Sequence, residues 1–123
     1  MSVRILVVDD EPAILLAYKK LLGGPHVEVD TAECFEEALG FLDRYDYRAA
    51  VVDLRIGPRP VEEGLEFIRY LRKERPGTAV VVATAYGNAV IKEAAHGLGA
   101  AFYFEKPVPI KRLKEALKAE GVY

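Results

Sequence analysis

The chain has 123 residues, of which 51% are hydrophobic and 29% charged, and its formal net charge is −2. That length suits one domain with one substantial core, the charge leaves neither a nucleic-acid footprint nor a strong acidic field, and a single cysteine, Cys34, excludes an internal disulfide. No stretch approaches a membrane span and no signal segment is seen, so a reducing cytoplasm is expected.

In chain order, Ile5-Leu-Val-Val8 reads as a buried strand, broken by Asp9-Asp10-Glu11-Pro12. Asp10 is suited to cap the helix that follows, and Pro12 fits its first turn. Ile14, Leu15, Tyr18, Leu21 and Leu22 recur at helical spacing until Gly23-Gly24-Pro25 stops them. A short second strand is predicted over Val27 to Asp30. The second helix starts near Thr31 and Glu33, with Phe35, Ala38, Leu39 and Leu42 on its apolar face. Ala49 to Val52 is a continuous apolar run of the kind buried on both faces of a parallel sheet, and it ends in Asp53. The connector Ile56-Gly-Pro-Arg-Pro-Val61 excludes helix and sheet. A third helix runs from Glu62 to Arg75 with Leu65, Ile68 and Leu71 inward. Ala79 to Ala83 is a fourth strand, closing at Thr84-Ala85-Tyr86-Gly87. A short helix spans Asn88 to His96, a fifth strand Ala101 to Phe104, and a last helix Pro109 to Glu120.

A strand followed by a helix, five times over, calls for a parallel sheet covered on both faces. Right-handed crossovers leave few topologies. The expected fold is a single α/β domain, a doubly wound five-stranded sheet of order 2-1-3-4-5, flavodoxin-like.

Ligands in such sheets bind beyond the carboxyl ends of the strands. There the chain places Asp9 and Asp10 after strand one, Asp53 after strand three, Thr84 after strand four and Lys106 after strand five. Each has an ordinary reading: Asp10 a helix cap, Thr84 a turn residue, Lys106 a solvated loop lysine, Asp53 a loop cap. Independent loop residues would not be confined to one edge of the sheet. Three carboxylates in one pocket repel each other, at about 5 Å and an effective dielectric of ~20 by roughly 3 kcal/mol per pair. Lys106 offsets part of that, and the remainder favours a bound divalent cation or a raised carboxyl pKa. Hard oxygen ligands with few protein donors suit Mg²⁺. A cation held beside an ammonium and a hydroxyl suits a phosphoryl group.

The pieces Ile5-Leu-Val-Val-Asp9-Asp10-Glu-Pro, Val51-Val-Asp53-Leu, Val82-Ala-Thr84-Ala-Tyr and Phe104-Glu-Lys106-Pro107 resemble the receiver domain of two-component response regulators. The resemblance covers essentially the whole chain and implies a CheY-like signalling domain rather than an enzyme. It implies that Asp53 is the phosphoacceptor, supplied by a histidine kinase or phosphotransfer protein. Asp10 and Asp53 would hold Mg²⁺ through carboxylates, Arg55 through its backbone carbonyl and Asp9 through water. Thr84 and Lys106 would bind the phosphoryl group, Tyr103 would be the aromatic switch, and the Lys106–Pro107 bond would be cis. The output face would be the fourth helix, fifth strand and fifth helix, where a homodimer is also implied. No direct contact with nucleic acid or membrane is expected.

The chain departs from the family in one place. A proline is usual four residues after the phosphoacceptor and a glycine eight after. Here Gly57 and Gly64 lie four and eleven after Asp53, so the connector is longer, with Pro58 and Pro60 stiffening it. Arg55 and Tyr86, two residues beyond Asp53 and Thr84, match positions that tune how long the phosphoryl group lasts. Both are large here, which implies restricted water attack and slow autodephosphorylation. A flavodoxin needs a Ser/Thr/Gly-rich loop where Asp9-Asp10-Glu11 stands, and an aspartyl phosphatase needs an Asp-x-Asp-x-Thr pattern that is absent. The remaining alternative is a phosphorylation-independent binding module on the same fold. The chain stops soon after the last helix, so no output domain is expected within it.

Overall fold

The computed structural model describes residues 2–85 and 87–123. Its elements run β1 (Val3–Val8), α1 (Pro12–Leu22), β2 (Val27–Ala32), α2 (Phe35–Leu42), β3 (Ala49–Val52), α3 (Glu62–Glu74), β4 (Ala79–Thr84), α4 (Ala89–Gly97), β5 (Phe102–Glu105) and α5 (Ile110–Ala119). The strands form one parallel sheet of order β2-β1-β3-β4-β5, as the alternating pattern requires.

Successive residues of a strand point to opposite faces, and the core divides accordingly. Leu6, Val8, Ala50, Val52, Val80 and Val82 face α2, α3 and α4, packing with Leu42, Ile68, Leu71 and Ala95. Ile5, Val7, Val51, Val81 and Ala83 face α1 and α5, packing with Leu15, Tyr18, Leu22, Leu113 and Leu117. Full burial of each large aliphatic side chain contributes about 1.5–3 kcal/mol. This two-sided load explains why the central strands are unbroken apolar runs.

Several local readings need correction. Strand β2 continues through Thr31 and Ala32, because β1 keeps pairing with it up to Val8↔Ala32. The start of α2 therefore moves to Cys34, whose Sγ accepts the Glu37 amide at 3.5 Å, while Glu37 returns a carboxylate oxygen to the Glu33 amide. Helix α1 is preceded not by an Asp10 cap but by Glu11, whose side chain makes no capping bond. Leu39 is exposed, since only the Phe35–Ala38–Leu42 side of α2 faces the sheet; Leu21 on α1 is exposed for the same reason. On α3 the inward set is Phe67, Ile68 and Leu71, with Leu65 only half-buried.

The two poles of the sheet differ. At the amino pole a cleft of about 550 Å³ opens among Arg4, Asp46, Arg48, Arg75 and Thr78. Its arginines and Thr78 are engaged within the protein. Arg4 pairs with Asp30 at 2.9 Å and lies over the Tyr45 ring. Arg48 and Arg75 donate to the Gly121 and Leu42 carbonyls, and Thr78 donates to the Tyr47 carbonyl. The Tyr47 hydroxyl donates to Asp30 Oδ2 at 2.6 Å.

Burial first, and then the bond to Asp30, push the Tyr47 phenol up from its ordinary range. A raised folded value means that this contribution to stability is fully present below about pH 10 and is lost as pH rises through the folded value. Tyr47→Phe is expected to cost about 1 kcal/mol in urea unfolding at neutral pH. The gap between variant and native should narrow in strongly alkaline buffer; a gap that widens there contradicts the assignment.

Candidate functional site at the carboxyl edge of the sheet

Register builds the other pole. Val8 is level with Val52, and Val52 with Val82. Asp9 and Asp53 therefore leave the sheet side by side at its centre, tied by the Asp53 amide on the Val8 carbonyl at 3.0 Å. Thr84 lies one residue beyond that level on β4, and its carbonyl accepts the Lys106 amide at 2.9 Å. The Lys106–Pro107 peptide bond is cis.

Asp9, Asp53 and Thr84 are buried at 2%, 7% and 0% exposure, and Asp10 is exposed. Lys106 Nζ donates to Asp9 Oδ2 and, at 3.0 Å, to Asp53 Oδ2. The other oxygens are held by backbone: Asp9 Oδ1 accepts the Glu11 amide at 3.0 Å, and Asp53 Oδ1 accepts the Arg55 amide at 2.9 Å. Burial raises the Asp9 carboxyl above the ordinary carboxylate range, outweighing the bonds from Lys106 and Glu11 that pull it down. For Lys106, burial pulls downward, but the bonds to Asp9 and Asp53 and their charges together carry the ammonium up. The solvated-loop reading of Lys106 is thereby excluded.

One carboxylate oxygen each from Asp9, Asp10 and Asp53 lies within 4.8 Å of the others, a set that can hold a metal ion. Asp10, released from capping α1, is free to serve there. The cluster carries three negative charges against one ammonium, and its donors are all hard oxygens, which suits a small divalent cation. Thr84 Oγ1 is buried with no hydrogen-bond partner among the described residues. A buried hydroxyl left without a partner is costly, and this one belongs to a strand end beside the carboxylates.

Tyr103 stands level with Val82 on β5. Its hydroxyl is buried without a partner among the described residues, and its ring lies 6.4 Å from that of His96. Burial, and then the charge of Glu105, raise its phenol. The hydroxyl lies over Gly87. A Cβ there would overlap it and come within 3.0 Å of the ring carbon that bears it. Sequence reasoning missed Gly87, because its contact is with a strand many residues away and no local pattern marks it. Gly87→Ala is expected to turn Tyr103 toward solvent and to return its phenol toward the ordinary range. Ring-proton NMR against pH reads this directly, with Tyr103→Phe identifying the resonance; an unchanged Tyr103 titration contradicts the seat. Arg55 is exposed just beyond the site, and Tyr86 lies outside the described residues.

The family model for the response regulator receiver domain matches residues 5–118. The response regulator protein PilR of Pseudomonas aeruginosa is 32% identical over 112 residues, which are 91% of this chain and 24% of PilR. The chain thus spans about a quarter of that relative. Among solved structures, a response regulator from Thermotoga maritima is 32% identical, with a TM-score of 0.86 and coverage of 98% of both chains. A response regulator from Burkholderia pseudomallei, solved with a phosphorylated aspartic acid, calcium ion and citrate, is 26% identical. Its TM-score is 0.85, covering 94% of this chain and 66% of that one. With the doubly wound sheet and the acidic strand ends in place, the chain belongs to the response regulator receiver domain family, a signalling module of two-component systems.

Proposed function

We propose that the chain works as a single receiver unit whose Asp53 accepts a phosphoryl group from a histidine kinase or phosphotransfer protein. The observation that carries this reading is Lys106 bridging the buried Asp53 and Asp9, with Asp10 in the same cluster. The Burkholderia relative with a phosphorylated aspartic acid supports it by analogy.

Asp10 and Asp53 would hold Mg²⁺ by carboxylates, Arg55 by its carbonyl and Asp9 through water, and the bound ion would supply neutralisation of the transferring oxygens. A carboxylate oxygen of Asp53 bonds to phosphorus as the bond from phosphorus to the donor's histidine nitrogen breaks; the freed imidazole takes its proton from solvent. Lys106 pairs with the incoming oxygens, and the Thr84 hydroxyl, buried without a partner among the described residues, donates to one of them. Drawing Thr84 toward the phosphoryl group biases its loop, with Tyr103 seated over Gly87, and so remodels the face of α4, β5 and α5. That face is the output surface and the place for a homodimer. The large side chains of Arg55 and Tyr86 restrict attacking water and slow the loss of the group. No nucleic-acid contact is assigned to the chain itself. Among the described residues no helix is long and apolar enough to cross a membrane; the proposed site of action is the cytoplasm.

Metal removal tests the reading. With acetyl phosphate and Mg²⁺ the intact mass is expected to rise by one phosphoryl group, and fragmentation should place it on Asp53. With a chelator in excess no adduct should form. An adduct that forms equally without the metal, or sits elsewhere, sinks the proposal.

A further inference from the structure

The elongated connector between β3 and α3 is folded around one carboxylate. Glu63 Oε2 accepts the Arg59 amide at 3.1 Å, and the Glu63 amide donates back to the Arg59 carbonyl at 3.1 Å. A Cβ built on Gly57 would run into the same Oε2. The Glu63 carboxylate therefore fills the hollow of the loop, and glycine at φ 86° is what leaves it room. The return of the loop is tied to the residue next to Asp53, since the Val61 amide donates to the Leu54 carbonyl at 2.8 Å. Gly64 packs so close to Leu54 that a Cβ there would lie 2.7 Å from its Cα. Leu54 and Ile56, on either side of Arg55, are both buried. Val61 is held at φ 73°, a costly conformation for a β-branched residue, which persists only where the surroundings impose it.

We propose that Glu63 is a positioning residue for the divalent cation. By closing the connector it holds the Arg55 main chain, whose carbonyl is a cation ligand on the reading given above; this inference rests on that reading. A carbonyl on a slack loop must be ordered as the ion binds, and the entropy of ordering comes off the affinity. Gly57 and Glu63 are thus one device, an inward carboxylate and the space for it, in the stretch where this chain is longer than the family pattern.

The test is Mg²⁺ binding by titration calorimetry, with folding checked by circular dichroism and loop closure by exchange of the Arg59 amide in metal-free protein. Glu63→Ala is expected to bind Mg²⁺ about tenfold more weakly and to exchange Arg59 faster. Glu63→Gln keeps an acceptor oxygen without the charge and should match the native chain in both. Gly57→Ala, whose methyl displaces the carboxylate while leaving its charge, should behave as Glu63→Ala does. Native affinity in Glu63→Ala overturns the inference, and so does equal weakening in Glu63→Gln, which would make charge rather than closure responsible. If the native chain binds no Mg²⁺ and Asp53→Asn is indistinguishable from it, the cation reading itself falls and takes this inference with it. If native and Asp53→Asn differ while Glu63→Ala matches native, only the inference falls.

Discussion

Asp53→Asn is expected to take up no phosphoryl group from acetyl phosphate with Mg²⁺, where the native chain gains one. An amide is no nucleophile toward phosphorus, so the loss is of chemistry rather than of fold. The fold should persist because the asparagine Oδ1 can still accept the Arg55 amide that Asp53 Oδ1 accepts. The charge terms oppose each other. Two buried carboxylates with oxygens inside 4.8 Å repel by roughly 3 kcal/mol at an effective dielectric of ~20, and the substitution removes that cost. It also removes one of the two ion pairs of Lys106. The net change in unfolding free energy should stay within about 1 kcal/mol, near the scale of one hydrogen bond. Uptake equal to the native chain would show that another residue carries the group, and a collapse in stability would show that Asp53 is chiefly a structural ion-pair partner.

Lys106→Met has the opposite character. The Lys106 side chain is only 10% exposed, and those of its two partners are 3% and 8% exposed. Removing it leaves two buried carboxylates facing each other with nothing between them. Breaking a buried pair from one side costs about 3–5 kcal/mol, and that loss is expected in urea unfolding without metal. Mg²⁺ should restore much of it. With the competing ammonium gone, the carboxylates bind a divalent ion more tightly, and stability climbs with ligand concentration relative to its dissociation constant. Phosphoryl uptake should nevertheless fall, because the ammonium proposed to pair with the incoming oxygens is gone and the metal is left to meet them alone. A variant as stable as the native chain in the absence of metal would contradict the bridge between Asp9, Lys106 and Asp53.

The strand order and the placing of Asp9, Asp53, Thr84 and Lys106 at one edge were legible because apolar runs ending in a polar residue mark where parallel strands leave the sheet. Lys106 was placed correctly, but its two carboxylate partners were not visible: Asp9 is 97 positions away, and pairing at that distance depends on register. The extension of β2 escaped because Thr31 and Ala32 are polar or small, and only their pairing with Val7 and Val8 makes them strand. The exposed Leu39 escaped for a related reason. Helical spacing defines a stripe, but the width of the stripe that the sheet covers is a tertiary fact. The inward fold of the connector around Glu63 had no sequence signature beyond an extra length and a glycine.

The separation of 97 positions between Asp9 and Lys106 also bears on how the molecule is made. On the ribosome Asp9, Asp10 and Asp53 emerge well before Lys106. A nascent chain that had already paired β1 with β3 would hold the acidic cluster with no counter-charge until β4 and β5 joined the sheet. Long-range parallel pairing is slow to form, so the acidic cluster is expected to meet its counter-charge only late in folding. Thr84 and Lys106, the groups proposed above to meet the phosphoryl oxygens, arrive only at its end. On the proposed function, a half-made receiver is expected to be chemically silent until the last strand has joined the sheet.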